Sequence, residues 1–196
     1  MANEMVLHCS DEALKPVLAT LQDNDEMGLA GLARLLEAHP FDSRLHFLKG
    51  SVLAGLQHYE EGRAAMQKAV DIAPEFAIAR FQLGFLELTS GLAADATATW
   101  AHFAGLAEDQ PFRILSEGLN CLARDEFPEA VRLLRRGMEL NTEHPLINND
   151  MQLLLDEIGD RAAPQPENKQ VAESASATHM LLQQFELKDS ANPKKR

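Results

Sequence analysis

Apolar residues along this chain recur at helical spacing and nowhere gather into the alternating strand-and-turn pattern of a β protein. "SDEALKPVLATLQD" and "DEMGLAGLARLLEAHP" predict a first helical pair that closes at Pro40. "RFQLGFLELTSG", residues 80–91, predicts an apolar helix with Gly84 at its centre. A glycine there costs about 1 kcal/mol relative to alanine, so it needs a structural reason. "FPEAVRLLRRGMELN" predicts a further helix, and "PLINNDMQLLLDEI" a last one whose Asn148, Asn149, Asp150, Asp156 and Glu157 suit a solvated end. From Gly159 the period stops: "GDRAAPQPENKQVAESASAT" has the polar, Pro/Ala/Ser-rich composition of a flexible linker. "HMLLQQFELK" then brings back Met180, Leu181, Leu182, Phe185 and Leu187, with Leu181 and Phe185 on one helical face. Three readings stay open for this tail: a frayed helix on the last repeat, a tethered motif for a partner or for the chain's own groove, or simple disorder. The chain as a whole reads as all-α.

A single step of 34 residues organises the pattern. Gly50, Gly84 and Gly118 stand one step apart, as do the small residues Gly62, Ala96 and Ala130. The bulky apolar residues Met66, Trp100 and Leu134 keep the same step, and so do Ala69, Phe103 and Gly137. Tyr59 and Phe127 are two steps apart, and Pro40 and Pro74, each closing a helical stretch, are one step apart. An internal period of this length means a stack of helical hairpins in which each unit buries its apolar side against the next.

These residues resemble the tetratricopeptide repeat, a helix–turn–helix unit with the pattern W-x2-L-G-x2-Y…A-x3-F…P. "FQLGFLELTSGLAADATATWAHFAG" carries Leu83-Gly84, then Ala96 and Trp100 at the A-x3-F spacing; "YEEGRAAMQKAVDIAP" carries a second helix and closing proline, with Gly62 for the usual alanine. The first-helix tryptophan is replaced by His46, Arg80 and Ile114, its tyrosine by Leu53, Glu87 and Cys121, and the closing proline of the third unit by Thr142. On this ruler an N-terminal segment, 1–8, precedes a degenerate capping pair, 9–42, in which Pro16 falls at the glycine position. Three full repeats follow, 43–76, 77–110 and 111–144, then a capping helix, 145–158, a flexible linker, 159–178, and a tail, 179–196, with a short amphipathic helix. In that reading glycines 50, 84 and 118 are close-packing positions of first helices.

Composition narrows the function. A formal net charge of −12 argues against nucleic acid and against anionic lipid, both of which need a basic surface. No apolar run reaches the length of a membrane span. "MANEMVLHCSDEALK" lacks a basic n-region and a long apolar h-region, so no signal peptide is expected. Cys9 and Cys121 are far apart and outside any metal or redox motif, which suits reduced thiols in the cytoplasm. None of His8, His39, His46, His58, His102, His144 or His179 sits in HExxH or a Cys/His spacing, and His39 and His144 immediately precede prolines. Phosphate loops and a G-x-S-x-G context around Ser51 or Ser116 are absent. The expectation is no catalytic residue, no metal and no cofactor.

The resemblance implies that the first helix of each unit lines a concave groove. Carried over position by position, the first unit offers Arg44, Phe47, Leu48, Ser51, Ala54 and Gly55, the second Ile78, Phe81, Gln82, Phe85, Leu88 and Thr89, and the third Phe112, Leu115, Ser116, Leu119, Leu122 and Ala123. This lining is apolar where many relatives clamp a carboxylate with lysine and asparagine, so Phe47 and Ser51 argue against recognition of a chaperone's acidic tail. The expected function is a non-catalytic adaptor or chaperone that binds an apolar-anchored peptide, extended or helical, of a partner protein. "HPFDSRLHFLKG" is similar to the opening of the tetratricopeptide chaperones of bacterial type III secretion translocators, which supplies one alternative. A self-assembling scaffold, a homodimer or polymer formed through groove or tail, is the other.

Overall fold

First helices begin at Ser43, Ala77 and Pro111 in the computed structural model, which describes residues 8–162. The N-terminal segment 1–7, the tail residues Met180, Leu181, Leu182, Phe185 and Leu187 and most of the expected linker lie outside the described residues. In chain order the helices are α1 (Asp11–Asp23), α2 (Asp25–Ala38), α3 (Ser43–Gly55), α4 (Tyr59–Ile72), α5 (Ala77–Thr89), α6 (Ala93–Trp100), α7 (Pro111–Ala123), α8 (Phe127–Leu140) and α9 (Pro145–Ala162). A 3-10 segment, Ala101–Gly105, continues α6, and no strand occurs among the described residues. Contacts divide the described chain into two units, 8–86 and 87–162.

Each first helix ends in the same way. Gln57, Gly91 and Asp125, one period apart, adopt φ of 64°, 80° and 59°. Beside them the N–H groups of His58, Leu92 and Glu126 donate to the carbonyls of Leu53, Glu87 and Cys121 at 2.9, 2.8 and 2.9 Å. This is a Schellman closure, a left-handed residue that lets the last carbonyls of a helix find donors. It reverses the chain in a few residues, and in the pairs α3/α4 and α7/α8 the second helix packs back on the first.

In the unit 8–86, Ser10 and Asn24 cap α1 and α2 by accepting from the N–H groups of Ala13 and Met27. α1 includes Pro16 within its length. α3 packs on α4 through a glycine crossing. A Cβ on Gly50 would lie 2.6 Å from Met66 Cγ and 2.8 Å from the Gly62 carbonyl oxygen, and one on Gly62 would lie 3.0 Å from the Gly50 carbonyl oxygen. Backbone meets backbone here, which accounts for Gly62 at a position where the repeat pattern has alanine. Leu45, Leu48, Val52, Ala69 and Val70 fill the remaining interior of the pair.

In the unit 87–162, α7 packs on α8, α6 on α7 and α8 on α9. Trp100, Phe103, Leu115, Leu119, Ala130, Leu134, Ile147 and Met151 are buried. α6 is shorter than its counterparts. Thr97 Oγ1 donates to the Ala93 carbonyl at 2.9 Å and Thr99 Oγ1 to buried Glu87 Oε2 at 2.7 Å. β-branched residues have weak helix propensity, and the chain tightens into the 3-10 segment directly after Trp100. α9 extends to Ala162, past the expected boundary at Ile158.

Candidate interaction surface

The predicted groove positions fall on three helices: Arg44, Phe47, Leu48 and Ser51 on α3, Ile78, Phe81, Gln82 and Phe85 on α5, and Phe112, Leu115 and Leu119 on α7. The first two groups belong to the unit 8–86 and the third to 87–162. Most of these side chains are interior. Phe47 is 2 % exposed and Phe81 1 %, while Leu48, Ile78, Leu115 and Leu119 are buried as well. The Phe47 ring meets Phe76 edge-on at 5.3 Å. Ser51 is buried and donates its hydroxyl to the Phe47 carbonyl at 3.0 Å. In this conformation such side chains belong to the packed interior.

Arg44, Gln82, Phe85 and Phe112 keep part of their surface in solvent. Gln82 and Phe85 are three apart on α5 and share a face. Phe112 stacks near-parallel with Phe103, centroids 5.8 Å apart, and with His144 at 5.3 Å, forming an aromatic column at the start of α7. That stacking holds the ring in one orientation and leaves it half-buried.

Arg44 performs a different task. Its Nη2 donates to Asp42 Oδ2 at 2.8 Å and to the Cys9 carbonyl at 2.6 Å, and its Nη1 to Asp11 Oδ1 at 3.1 Å. Asp42 is wholly buried and also accepts from the Cys9 N–H at 2.8 Å and the Arg44 N–H at 3.0 Å. Burial acts to raise the Asp42 carboxyl, but the Arg44 side chain and these N–H groups outweigh it and hold the group below the usual carboxylate range. The arrangement clasps the start of α1 to the N-terminus of α3. Sequence reading missed it because the partners lie more than thirty residues apart, although an Asp directly before a helix start is itself a capping signal.

Chemically reactive groups are muted. Burial is the leading cause that pushes the Cys9 and Cys121 thiols up, away from the nucleophilic thiolate form. Among the described residues no three His, Cys, Asp or Glu side chains are placed to share a metal ion, and no helix is long and apolar enough to cross a membrane. Large apolar side chains that sequence reading did not assign to any surface stand exposed at Met27, Phe41 and Leu153.

The fold is a tetratricopeptide-type helix–turn–helix solenoid. A structure of MamA from Desulfovibrio magneticus RS-1, running from position 41 to the end, matches with a TM-score of 0.56 at 15% identity, over 95% of this chain and 100% of that one. A crystal structure of MamA matches at 0.55 and 16% identity, over 65% of this chain and 75% of its own. PilF of Pseudomonas aeruginosa matches at 0.54 and 13% identity, over 92% of this chain and 81% of that chain. Likeness at such identities defines a fold. No protein-family model matches the sequence, and comparison with curated proteins gives no match.

Proposed function

We propose that this chain is a non-catalytic interaction adaptor that receives apolar anchors of a partner protein on its first helices. The observation that supports this most is the partial exposure of Gln82 and Phe85 in the unit 8–86, and of Phe112 in the unit 87–162, above otherwise interior first-helix residues. Within each unit buried first-helix residues back the exposed ones, Phe47 and Phe81 in 8–86 and Leu115 and Leu119 in 87–162. A pre-formed surface loses little conformational entropy on binding. Burying an aromatic or leucine anchor contributes about 1.5–3 kcal/mol, so a few anchors support roughly micromolar affinity. The reading places the protein in the cytoplasm, in keeping with two free, buried cysteines and a formal net charge of −12. Self-assembly is the second reading, favoured by the exposed Met27 and Phe41.

Affinity capture with the intact chain and with a Gln82→Ala/Phe85→Ala variant tests the proposal. Both positions are half-buried, so the variant keeps its helical circular dichroism. The expected result is loss of specific proteins from the variant's capture. Identical capture by the two folded chains overturns the assignment, and light scattering that finds a dimer abolished by Met27→Asp/Phe41→Asp favours self-assembly.

A further inference from the structure

α8 packs on α7 and on α9 and turns Ala130, Leu134 and Gly137 inward. Its outer stripe is Pro128, Val131, Arg132, Arg135, Arg136 and Glu139, at i, i+3, i+4, i+7, i+8 and i+11, and it lines a concavity of about 560 Å³. Phe127, 43 % exposed, adds an aromatic ring four residues before Val131. The stripe thus begins apolar and turns cationic. Within 87–162 fourteen Asp and Glu residues stand against six Arg, and three of those six are Arg132, Arg135 and Arg136. Solubility of an acidic unit does not call for its cations to gather on one face of one helix.

The three guanidinium groups differ in what they hold. Arg132 donates from Nε and Nη2 to the Glu129 carboxylate at 2.9 and 2.6 Å, and Arg136 from Nη1 to Glu139 Oε2 at 3.2 Å. Arg135, between them, is exposed and makes no hydrogen bond or ion pair among the described residues. Both pairs are exposed i, i+3 contacts, which hold little energy and exchange readily for an incoming carboxylate. A free guanidinium offers a planar fork of donors that matches a carboxylate, and arginine beside apolar surface is the composition of a protein-binding patch. A nucleic-acid backbone fits poorly. The arginines span only about 6 Å of helix axis, and a longer polyanion runs onto Glu129 and Glu139. We propose that this face of α8 docks a short acidic segment of a partner protein, with an apolar side chain against Phe127, Pro128 and Val131 and carboxylates on Arg135 and its two neighbours. The seat is on a second helix and goes beyond the surface proposed on the first helices, so the two proposals stand or fall separately.

A labelled synthetic peptide of one phenylalanine followed by four glutamates, titrated with the full chain and read by fluorescence anisotropy at about 0.15 M salt, tests it. Saturable binding is expected, about tenfold weaker for Arg135→Glu and about threefold weaker for Arg135→Lys, which keeps the charge but loses the fork. Glu139→Gln frees Arg136 and should tighten binding about twofold. Arg34→Glu, the same change of charge at an exposed position of α2, should leave it unaltered. All these side chains are exposed, so the variants keep their helical circular dichroism. Absence of saturable binding overturns the proposal, as does an equal loss with Arg34→Glu or equal binding of a peptide with glutamines in place of the glutamates. Tighter binding of a single-stranded oligonucleotide overturns it in favour of nucleic acid. A dimer that light scattering finds abolished by Arg135→Glu overturns it in favour of another copy of the chain.

Discussion

The hairpins α3/α4 and α7/α8 sit two periods apart on one ruler and solve the same packing problem with different materials. At the start of the first helix, α3 has the buried carboxylate of Asp42, whereas α7 has Gln110, whose side chain makes no capping hydrogen bond, and relies on Pro111 at its first turn. At the crossing, α3 meets α4 through glycine backbones, whereas Gly118 of α7 faces the Leu133 and Leu134 side chains at 3.1 Å. At the closing turn, Gln57 and Asp125 occupy the same left-handed conformation. Periodicity thus conserves geometry, and the residues that achieve it differ in how much strain or charge they hold. The same substitution made at matched positions should have unequal effects.

The largest difference is expected at the helix starts. Asp42→Ala removes a buried acceptor shared by Arg44 and two backbone N–H groups, and breaking a buried ion pair of this kind costs about 3 kcal/mol. Gln110→Ala, at an exposed site without a capping bond, should change stability by less than about 0.5 kcal/mol. The Asp42 effect carries a pH signature. Its folded pKa lies below the unfolded value, so the stabilisation is fully present above about pH 4 and is lost as pH falls through the folded pKa. Urea denaturation at pH 7 and at successively lower pH checks this: the gap between Asp42→Ala and the unaltered chain should narrow below pH 4. A gap constant with pH would mean that the clasp works without its charge.

The crossing comes next. Gly50→Ala drives a methyl group against the Gly62 carbonyl, a backbone atom that cannot rotate away, so a loss of about 2–3 kcal/mol is expected from overpacking. Gly118→Ala gains up to about 1 kcal/mol of helix propensity and presses only on side chains, so the two terms roughly cancel. Thermal melts followed by circular dichroism should separate the variants by several degrees. Equal melting temperatures would mean that α3 and α4 can slide apart without loss.

Much of this was legible in the chain. The period shows because a glycine recurs where a first helix meets its second, against backbone at Gly50 and against side chains at Gly118. Fewer of the surface residues could be read. Phe81 and Phe85 look alike in sequence, yet one is buried and the other half-exposed, since apolarity is needed both for a core and for a binding face. Arg44 reads as a groove position on the repeat pattern, but it is spent on Asp42, Asp11 and Cys9, a pairing set by the path of the N-terminal segment rather than by local spacing. The shortened α6 was hidden because local spacing does not mark where it tightens into the 3-10 segment, and a contact near its end, Thr99 to Glu87, reaches the preceding helix.

The smallest effect concerns the closing turns. A residue other than glycine in the left-handed region costs about 1–2 kcal/mol, less for aspartate and asparagine, and glycine gives back about 0.5–1 kcal/mol of that in chain entropy. Gly91 already takes the inexpensive solution and has open space where a Cβ would stand. Gln57→Gly should therefore stabilise the protein by about 0.5 kcal/mol, while Asp125→Gly should be close to neutral because aspartate tolerates the conformation. Both side chains are exposed, so backbone preference dominates the outcome. Urea midpoints at an unchanged m value resolve a shift of this size. If Asp125→Gly stabilised as much as Gln57→Gly, the difference between the two hairpins would stop at the turn, and the strain there would belong to the period itself rather than to the residue that bears it.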